Sequence, residues 1–444
     1  MKKTLLYLLL SWGTTTLSAQ ETPEAISLQE AVEWGMQHNL TLQNADREFQ
    51  KAHKKKWETL SIGFPQIRAN LNYQNNIELP VSLIPAEIFG GPVGEFSEIT
   101  FGTKQSAVGS VELNQLLFDG SYVVGVMGIK HFIEVAENFL EKTQLEVRRA
   151  IVEAYLNAIT VQQSVNLLEK NIETTSQNIE EVHQLFRAGF VEEESVEQLQ
   201  LTLASLNSQL DYNQNTLELS QKILKLLLGL ELDSFLKLTD DLERLSLTHL
   251  ILKQENLGYE NNIDLRIAEG QITSEKLLYK LERAKSLPSF EAFINGMYVG
   301  NNDSFGFTDK DQKWFGSSAF GVRVRIPIFS SFGRTASTQK AKISFEQAKT
   351  SFKETKSEVF VEYEQAKNNY QLSIRNYNNA KNQLDLATRI EKKNKTKFFE
   401  GLASSFELRQ AQLQLFNRQQ NYILSMKEII SKKTALDIII NNPK

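Results

Sequence analysis

Two long stretches of the chain carry a hydrophobic stripe whose spacing alternates between four and three residues. The first runs through Val147, Ile151, Ala154, Ala158, Val161, Val165, Leu168, Ile172, Thr175, Ile179, Val182 and Phe186, with Thr175 its one polar member. The second runs through Val359, Tyr363, Ala366, Tyr370, Ser373, Tyr377, Ala380, Leu384, Ala387, Glu391, Asn394 and Phe398, and weakens at Glu391 and Asn394. A stripe of this period predicts helices packed along a seam, as in a coiled coil. Many of its residues are small or β-branched, so neighbouring helices can approach closely. From Ser121 to Arg187 the pattern predicts one uninterrupted helix of roughly 67 residues, about 100 Å long at ~1.5 Å per residue. No compact globular domain accommodates such an element; it is the length scale of a duct or a fibre.

Between these stretches the period changes to two. Ile67, Ala69, Leu71 and Tyr73 alternate with Arg68, Asn70, Asn72 and Gln74. Phe290, Ala292, Ile294 and Tyr298 alternate with Ser289, Glu291 and Asn295, and Phe293 breaks the pattern. Partner strands are predicted near Ala107–Leu117 and Ser318–Ile328; in the latter Phe320, Val322, Val324, Ile326 and Ile328 oppose Gly321, Arg323 and Arg325. Each segment is about ten residues, the length of a tilted barrel strand across a bilayer. The alternation suits a membrane barrel and equally a half-buried soluble sheet. The long helices favour the barrel, because a soluble sandwich has no use for them. Four strands cannot close a barrel, and an open edge in lipid leaves backbone groups unpaired at several kcal/mol each. The membrane reading therefore requires an oligomer that pools its strands.

Proline placement agrees with this division. Of 8 prolines, none lies between Pro92 and Pro288 or between Pro327 and Pro443, as expected where each would cost a helix interior about 3 kcal/mol. The chain also repeats itself. Asn39–Ala45 aligns with Asn262–Ala268, Pro65 with Pro288, Val111–Phe118 with Val322–Phe329, and Gly189-Phe190-Val191 with Gly401-Leu402-Ala403. Gln198, Gln200, Leu201 and Leu203 fall on Gln410, Gln412, Leu413 and Leu415. Repeats of this kind are read before a fold is assigned. This one predicts two units of helix, strand, strand, long helix, turn and helix, at residues 20–231 and 262–444, joined by a connector at 232–261. The first unit carries a longer Pro- and Gly-rich loop at 79–101.

Composition removes most other functions. The 444 residues include no Cys and 5 His, and no His has ligand spacing with Asp or Glu, so neither a metal nor a cofactor is expected. Lys2 and Lys3, the apolar run Leu5–Trp12 and the small residues Ser18 and Ala19 read as a signal peptide over residues 1–19. The formal net charge is -5 with signs interspersed; no basic patch interleaved with aromatics supports nucleic-acid binding. Past residue 19 no run approaches the ~18 apolar residues of a spanning helix. Gly90, Gly91 and Gly94 open no helix and form no phosphate cradle. No cleft of convergent titratable groups marks an enzyme. Tyr73, Tyr298 and Trp314 are candidates for interfacial girdles, with a plain surface aromatic as the alternative for Trp314.

The ordered set of short motifs resembles the TolC-like outer-membrane efflux protein family. Ser27-Leu28-Gln29-Glu30-Ala31-Val32 before His38-Asn39-Leu40 is similar to its N-terminal opening. Gly63-Phe64-Pro65-Gln66-Ile67 is similar to its first strand, and Gln115–Gly120 to the segment before its first long helix. Arg187–Val191 and Glu400–Ala403 resemble its two tip turns, and Leu226-Leu227-Leu228-Gly229 the end of its return helix. The resemblance implies a mainly α fold with a small β part. It implies a homotrimer with four strands per protomer in a twelve-stranded membrane barrel, and a coiled-coil helical tunnel that extends into the periplasm. It implies a passive exit duct of the cell outer membrane, part of a tripartite efflux or type I secretion system, not an enzyme and without a cofactor. The partners implied are outer-membrane lipid, a periplasmic adaptor and an inner-membrane pump. The rival reading is a soluble periplasmic coiled-coil adaptor or scaffold.

The resemblance assigns adaptor docking to Arg187, Ala188, Gly189, Phe190, Val191, Gly401, Leu402 and Ala403. The alternative is a plain helix-ending turn, which Gly189 and Gly401 suit. It places Glu407, Gln410 and Ser195 at the pore constriction, where three copies of Glu407 would form an acidic ring. Gln410 stands where some relatives carry a second acid. Ser404-Ser405-Phe406-Glu407 also reads as a capping box, so Glu407 has two candidate roles. The family's charged inter-helix lock falls here on Ser195, Ala403 and Phe398, which cannot form the same salt bridge. Glu192, Glu193 and Glu194 are candidates for a substitute contact, with a solvated charge run as the alternative.

Overall fold

A computed structural model describes residues 23–250 and 259–440. The signal peptide expected at 1–19 lies outside the described residues, as do residues 251–258 of the expected connector.

The first half contains β1 (Ala25–Ile26), α1 (Leu28–His38), α2 (Leu40–Ser61), β2 (Gln66–Asn75), β3 (Val81–Pro85), β4 (Phe96–Thr100), β5 (Gln105–Phe118), α3 (Gly120–Arg187) and α4 (Glu193–Leu228). The second half contains β6 (Lys237–Leu238), α5 (Leu242–Thr248), α6 (Ile263–Ala284), β7 (Ser289–Asn302), β8 (Trp314–Arg325), α7 (Gly333–Phe399) and α8 (Ser405–Ile439). The repeat is visible in the lengths: α2 and α6 have 22 residues each, α3 and α7 have 68 and 67, α4 and α8 have 36 and 35. It is visible in chemistry too. The buried amide of Asn39 donates to the Leu227 carbonyl at the end of α4 (2.7 Å), and its repeat equivalent Asn262 donates to the Ile439 carbonyl at the end of α8 (2.9 Å). Each return helix thus has one of its orphan C-terminal carbonyls satisfied by the same device.

The chain divides into two compact units. Of the described residues, one comprises 23–45, 141–250, 259–262 and 359–440; the other comprises 46–140 and 263–358. The first unit is helical, with the small parallel pair β1–β6. Its core gathers Ile151, Tyr155, Leu156 and Ile159 of α3, Leu224 and Leu228 of α4, Tyr370 and Tyr377 of α7, and Ile429 and Ile430 of α8. The heptad stripe of α3 is largely this buried face; only its last member, Phe186, is exposed. Within this core the Tyr155 hydroxyl donates to Asp240 Oδ2 (2.8 Å), which also accepts from the Leu28 amide (2.6 Å) and so ties α1 to the segment before α5.

The second unit holds an antiparallel four-stranded sheet in the order β2-β5-β7-β8. Strand β8 stops at Arg325, short of the expected Ile328, because Pro327 has no N–H to give a ladder. The 79–101 loop folds into a separate hairpin, β3–β4, which alternation over so few residues did not reveal. Phe293, the break in the β7 pattern, lies across from Gly321, where an added Cβ would meet its ring at 2.9 Å; Arg323 covers the same ring at 5.1 Å. Among the described residues no helix is long and apolar enough to cross a membrane.

Candidate functional site

The strand register sorts the sheet into two unlike faces. Cross-strand rows Ile67–Leu113–Ile294–Phe320, Ala69–Val111–Gly296–Ser318, Leu71–Gly109–Tyr298–Gly316 and Tyr73–Ala107–Gly300–Trp314 share one face. Intervening rows, such as Arg68–Glu112–Asn295–Ala319 and Asn70–Ser110–Met297–Ser317, share the other. The first face is apolar over all four strands, yet among the described residues most of it is left uncovered: Leu71 is 83% exposed and Phe320 87%. At one end Tyr73 and Trp314 join Phe305 and Phe307 in an aromatic cluster with ring centroids 5.8–6.2 Å apart; at the other, Phe118 meets Phe290 at 6.1 Å. Strands β2 and β8 are left as unpaired edges. A solvated edge on an apolar sheet is an aggregation template in water; in lipid it demands closure.

The two tip turns are built alike. Gly189 (φ 77°) and Gly401 (φ 74°) take the left-handed conformation. The Phe190 amide donates to the Leu185 carbonyl and the Gly189 amide to the Phe186 carbonyl, both 2.9 Å; Leu402 and Gly401 donate to Lys397 and Phe398 at 2.8 and 3.0 Å. Both are Schellman turns, which need glycine at the positive-φ position. The residue after each glycine is pushed outward, so Phe190 is 78% exposed and Leu402 74%. Arg187 and Ala188 are exposed, Val191 and Ala403 half-buried. A cleft of about 660 Å³ opens between the turns, lined by Phe190, Val191, Phe399, Gly401 and Phe406 among others.

Glu407 forms a reciprocal capping box. The Ser404 amide and hydroxyl donate to Glu407 Oε2 (2.8 and 3.0 Å), and the Glu407 amide donates to Ser404 Oγ (3.3 Å). Hydrogen bonds from the Ser404 backbone, then from its hydroxyl, hold the fully exposed carboxyl below the usual glutamate range. The charge and its cap are therefore complete above the ordinary pKa of about 4.3 and are lost only as pH falls through the lowered value. Gln410 is exposed one turn further along α8. Ser195 is buried at the equivalent of Glu407 in α4, where the preceding cap, Glu192, makes no side-chain capping bond.

The capping and pore roles separate by substitution. Glu407→Gln keeps a capping acceptor but removes the charge; Glu407→Ala removes both, at about 0.5–2 kcal/mol for a lost cap. If three Glu407 carboxylates ring the pore, both variants lower cation preference in planar-bilayer recordings, and the wild-type preference persists at pH 5. Unchanged selectivity in Glu407→Gln assigns the residue to the helix start alone.

Around Phe398 and Ala403 the structure places an apolar cluster. Val182 of α3, Val196 and Leu199 of α4, Phe398 of α7 and Leu408 of α8 are buried together, with Ala403 packed against them. Nearby, Lys395 donates to Asn178 Oδ1 (2.7 Å) and lies 3.9 Å from Glu181, joining α7 to α3. Glu192, Glu193 and Glu194 are exposed, and Glu194 accepts from Gln198 of its own helix (2.6 Å). Among the described residues the run thus forms no hydrogen bond or ion pair to another helix, and Lys395 is the residue that sequence reasoning missed. Its signal was the weakened seam, since Asn394 and Glu391 interrupt the apolar stripe beside it. Among the described residues no group of three or more His, Cys, Asp or Glu is arranged to hold a metal ion.

A model of the outer membrane efflux protein family matches residues 257–442. Among the curated proteins no sequence match is found. Solved structures share the fold. VceC, an outer membrane protein of Vibrio cholerae, is 15% identical with a TM-score of 0.72 over 93% of this chain and 95% of its own. CusC, described as forming a transmembrane channel, is 16% identical with a TM-score of 0.75 over 93% and 91%. The CmeC outer membrane channel of Campylobacter jejuni is 17% identical with a TM-score of 0.73 over 94% and 85%.

Proposed function

We propose, from the match of residues 257–442 to the outer membrane efflux protein family and the shared fold, that this chain belongs to that family and is one protomer of a homotrimeric exit duct in the cell outer membrane. Three copies would align β8 of each sheet with β2 of the next and close twelve strands into one barrel. The helices would extend the duct into the periplasm. There the exposed Phe190 and Leu402 and the cleft beside them suit the apolar face of a helical hairpin, which fits docking by a periplasmic adaptor. The duct would be passive, with an inner-membrane pump supplying the work in an efflux or type I secretion system.

One observation carries this reading: an apolar face that spans four strands, ends in aromatic residues and borders two open edges. Burying such a face against a folded partner in water would satisfy the side chains but leave the edges; a pooled barrel satisfies both. The decisive experiment is extraction of the full chain from outer membranes. A carbonate-resistant, crosslinkable trimer that conducts in planar bilayers is expected. A carbonate-soluble monomer would instead favour a periplasmic coiled-coil scaffold.

A further inference from the structure

The four main strands contain five charged residues, Arg68, Glu112, Glu291, Arg323 and Arg325. All five fall on the polar face, since Arg68 pairs across to Glu112, Glu291 to Arg323, and Arg325 lies two residues beyond Arg323. Three arginines against two glutamates leave one positive charge per chain. Arg68 and Glu291 are third in their strands and Arg323 and Arg325 end β8, whereas Glu112 is mid-strand in β5, on the Arg68 row and four residues along β7 from the Glu291–Arg323 row. The four charges other than Glu112 thus stand toward the strand ends that adjoin the helices, with Glu112 reaching toward them from mid-strand.

Within this group one arginine takes both carboxylates. Arg323 Nη1 donates to Glu291 Oε2 at 3.0 Å, and its Nη2 lies 4.0 Å from Glu112 Oε1, while the guanidinium covers the Phe293 ring. Glu112 stands directly opposite Arg68 in the register but its side chain is directed to Arg323. Arg68 and Arg325 are exposed and have no carboxylate partner among the described residues. They also lie on the two edge strands, β2 and β8. Closure of a barrel would bring each β8 edge against the β2 edge of the next copy. Every seam would then gather the arginine-bearing ends of two sheets.

Arginine is charged at every accessible pH, and its planar fork matches phosphate and carboxylate oxygens in pairs. Rings of such groups in a pore favour anions. We infer that the polar face carries an anion-binding belt, formed by Arg68 and Arg325 with Arg323 held in reserve by Glu291 and Glu112, and that the duct takes multivalent anions bearing phosphate or carboxylate groups. The inference rests on the exit-duct reading and names a cargo class for it.

The test uses the full chain in detergent, its trimer confirmed by mass, with tripolyphosphate as probe in calorimetry at about 0.1 M salt, where screening over ~10 Å leaves contact pairs intact. Binding is expected, weakened at least about tenfold in Arg68→Gln/Arg325→Gln, the loss expected of removing charge-assisted bonds. Glu291→Gln should strengthen it severalfold by releasing Arg323; a gain of this kind cannot come from misfolding. In planar bilayers tripolyphosphate should block the wild type more than the double variant. A trimer that conducts but does not bind tripolyphosphate, or binds it equally in the double variant, overturns the anion belt and leaves the duct standing. A non-conducting monomer overturns the duct, and the belt with it.

Discussion

Leu71→Arg is expected to abolish stable insertion of the chain into outer membranes, whereas Asn70→Arg, one residue earlier, is expected to leave insertion intact. Leu71 is the sixth of the ten residues of β2 and lies on the uncovered apolar face. An arginine at the midplane of a barrel's lipid face costs about 2–4 kcal/mol. Three copies in one trimer raise this to about 6–12 kcal/mol, comparable to the whole stability of many domains. Asn70 belongs to the row Asn70–Ser110–Met297–Ser317 on the opposite face, where a new cation meets water. The pair is a strong discriminator because the two residues are adjacent and share backbone environment, edge position and strand. Carbonate-resistant, heat-modifiable trimer in membrane fractions is the readout. Equal insertion of the two variants would show that the apolar face does not meet lipid.

That contrast was readable from the sequence because a strand's period of two puts its face assignment directly into the residue order. The long helices were readable for a similar reason. A stripe sustained over ten or more positions, without proline, leaves no other structure, and α3 begins and ends within one residue of expectation. What the sequence left hidden is pairing across the fold. The β3–β4 hairpin rests on two five-residue strands, too short for alternation to stand out. The meeting of Asn39 with α4 and of Asn262 with α8 depends on where helices end in space; the repeat marks these residues as equivalent but not what they bond. Arg323 shows the same limit. Its place on the polar face follows from alternation, but its hold on two carboxylates from β5 and β7 follows only from the strand order β2-β5-β7-β8. At the tip, the inability of Ser195, Ala403 and Phe398 to form a salt bridge was legible in their side chains, while the apolar cluster around Phe398 was not, because its members come from four different helices.

Phe398→Ala, by contrast, is expected to leave the chain inserted and to raise the resting conductance of the proposed duct by one to two orders of magnitude. Phe398 is 5% exposed and is the sole large member that α7 contributes to the tip cluster. Around it stand Val182 of α3, Val196 and Leu199 of α4 and Leu408 of α8, so one ring joins the α7–α8 hairpin to the α3–α4 hairpin. Truncating a buried phenylalanine costs about 3–5 kcal/mol. At about 1.4 kcal/mol per factor of ten, that moves an equilibrium between joined and parted hairpins by two to three orders of magnitude. Part of it is recovered by local collapse, hence the smaller expected change in conductance. The remaining tie, Lys395 to Asn178 and Glu181, is about a third exposed on its lysine side, and such exposed pairs are worth at most about 1 kcal/mol. Lys395→Gln should therefore change conductance by less than about fivefold, and Glu193→Gln, exposed and apart from the cluster, by nothing measurable. If closure is an apolar contact in this chain, its strength is also insensitive to salt, since burial of Phe398 is not screened. Single-channel recordings between 0.1 and 1 M KCl distinguish the cases: a resting state that opens as salt rises, with Phe398→Ala behaving like the wild type, would return closure to the charged residues.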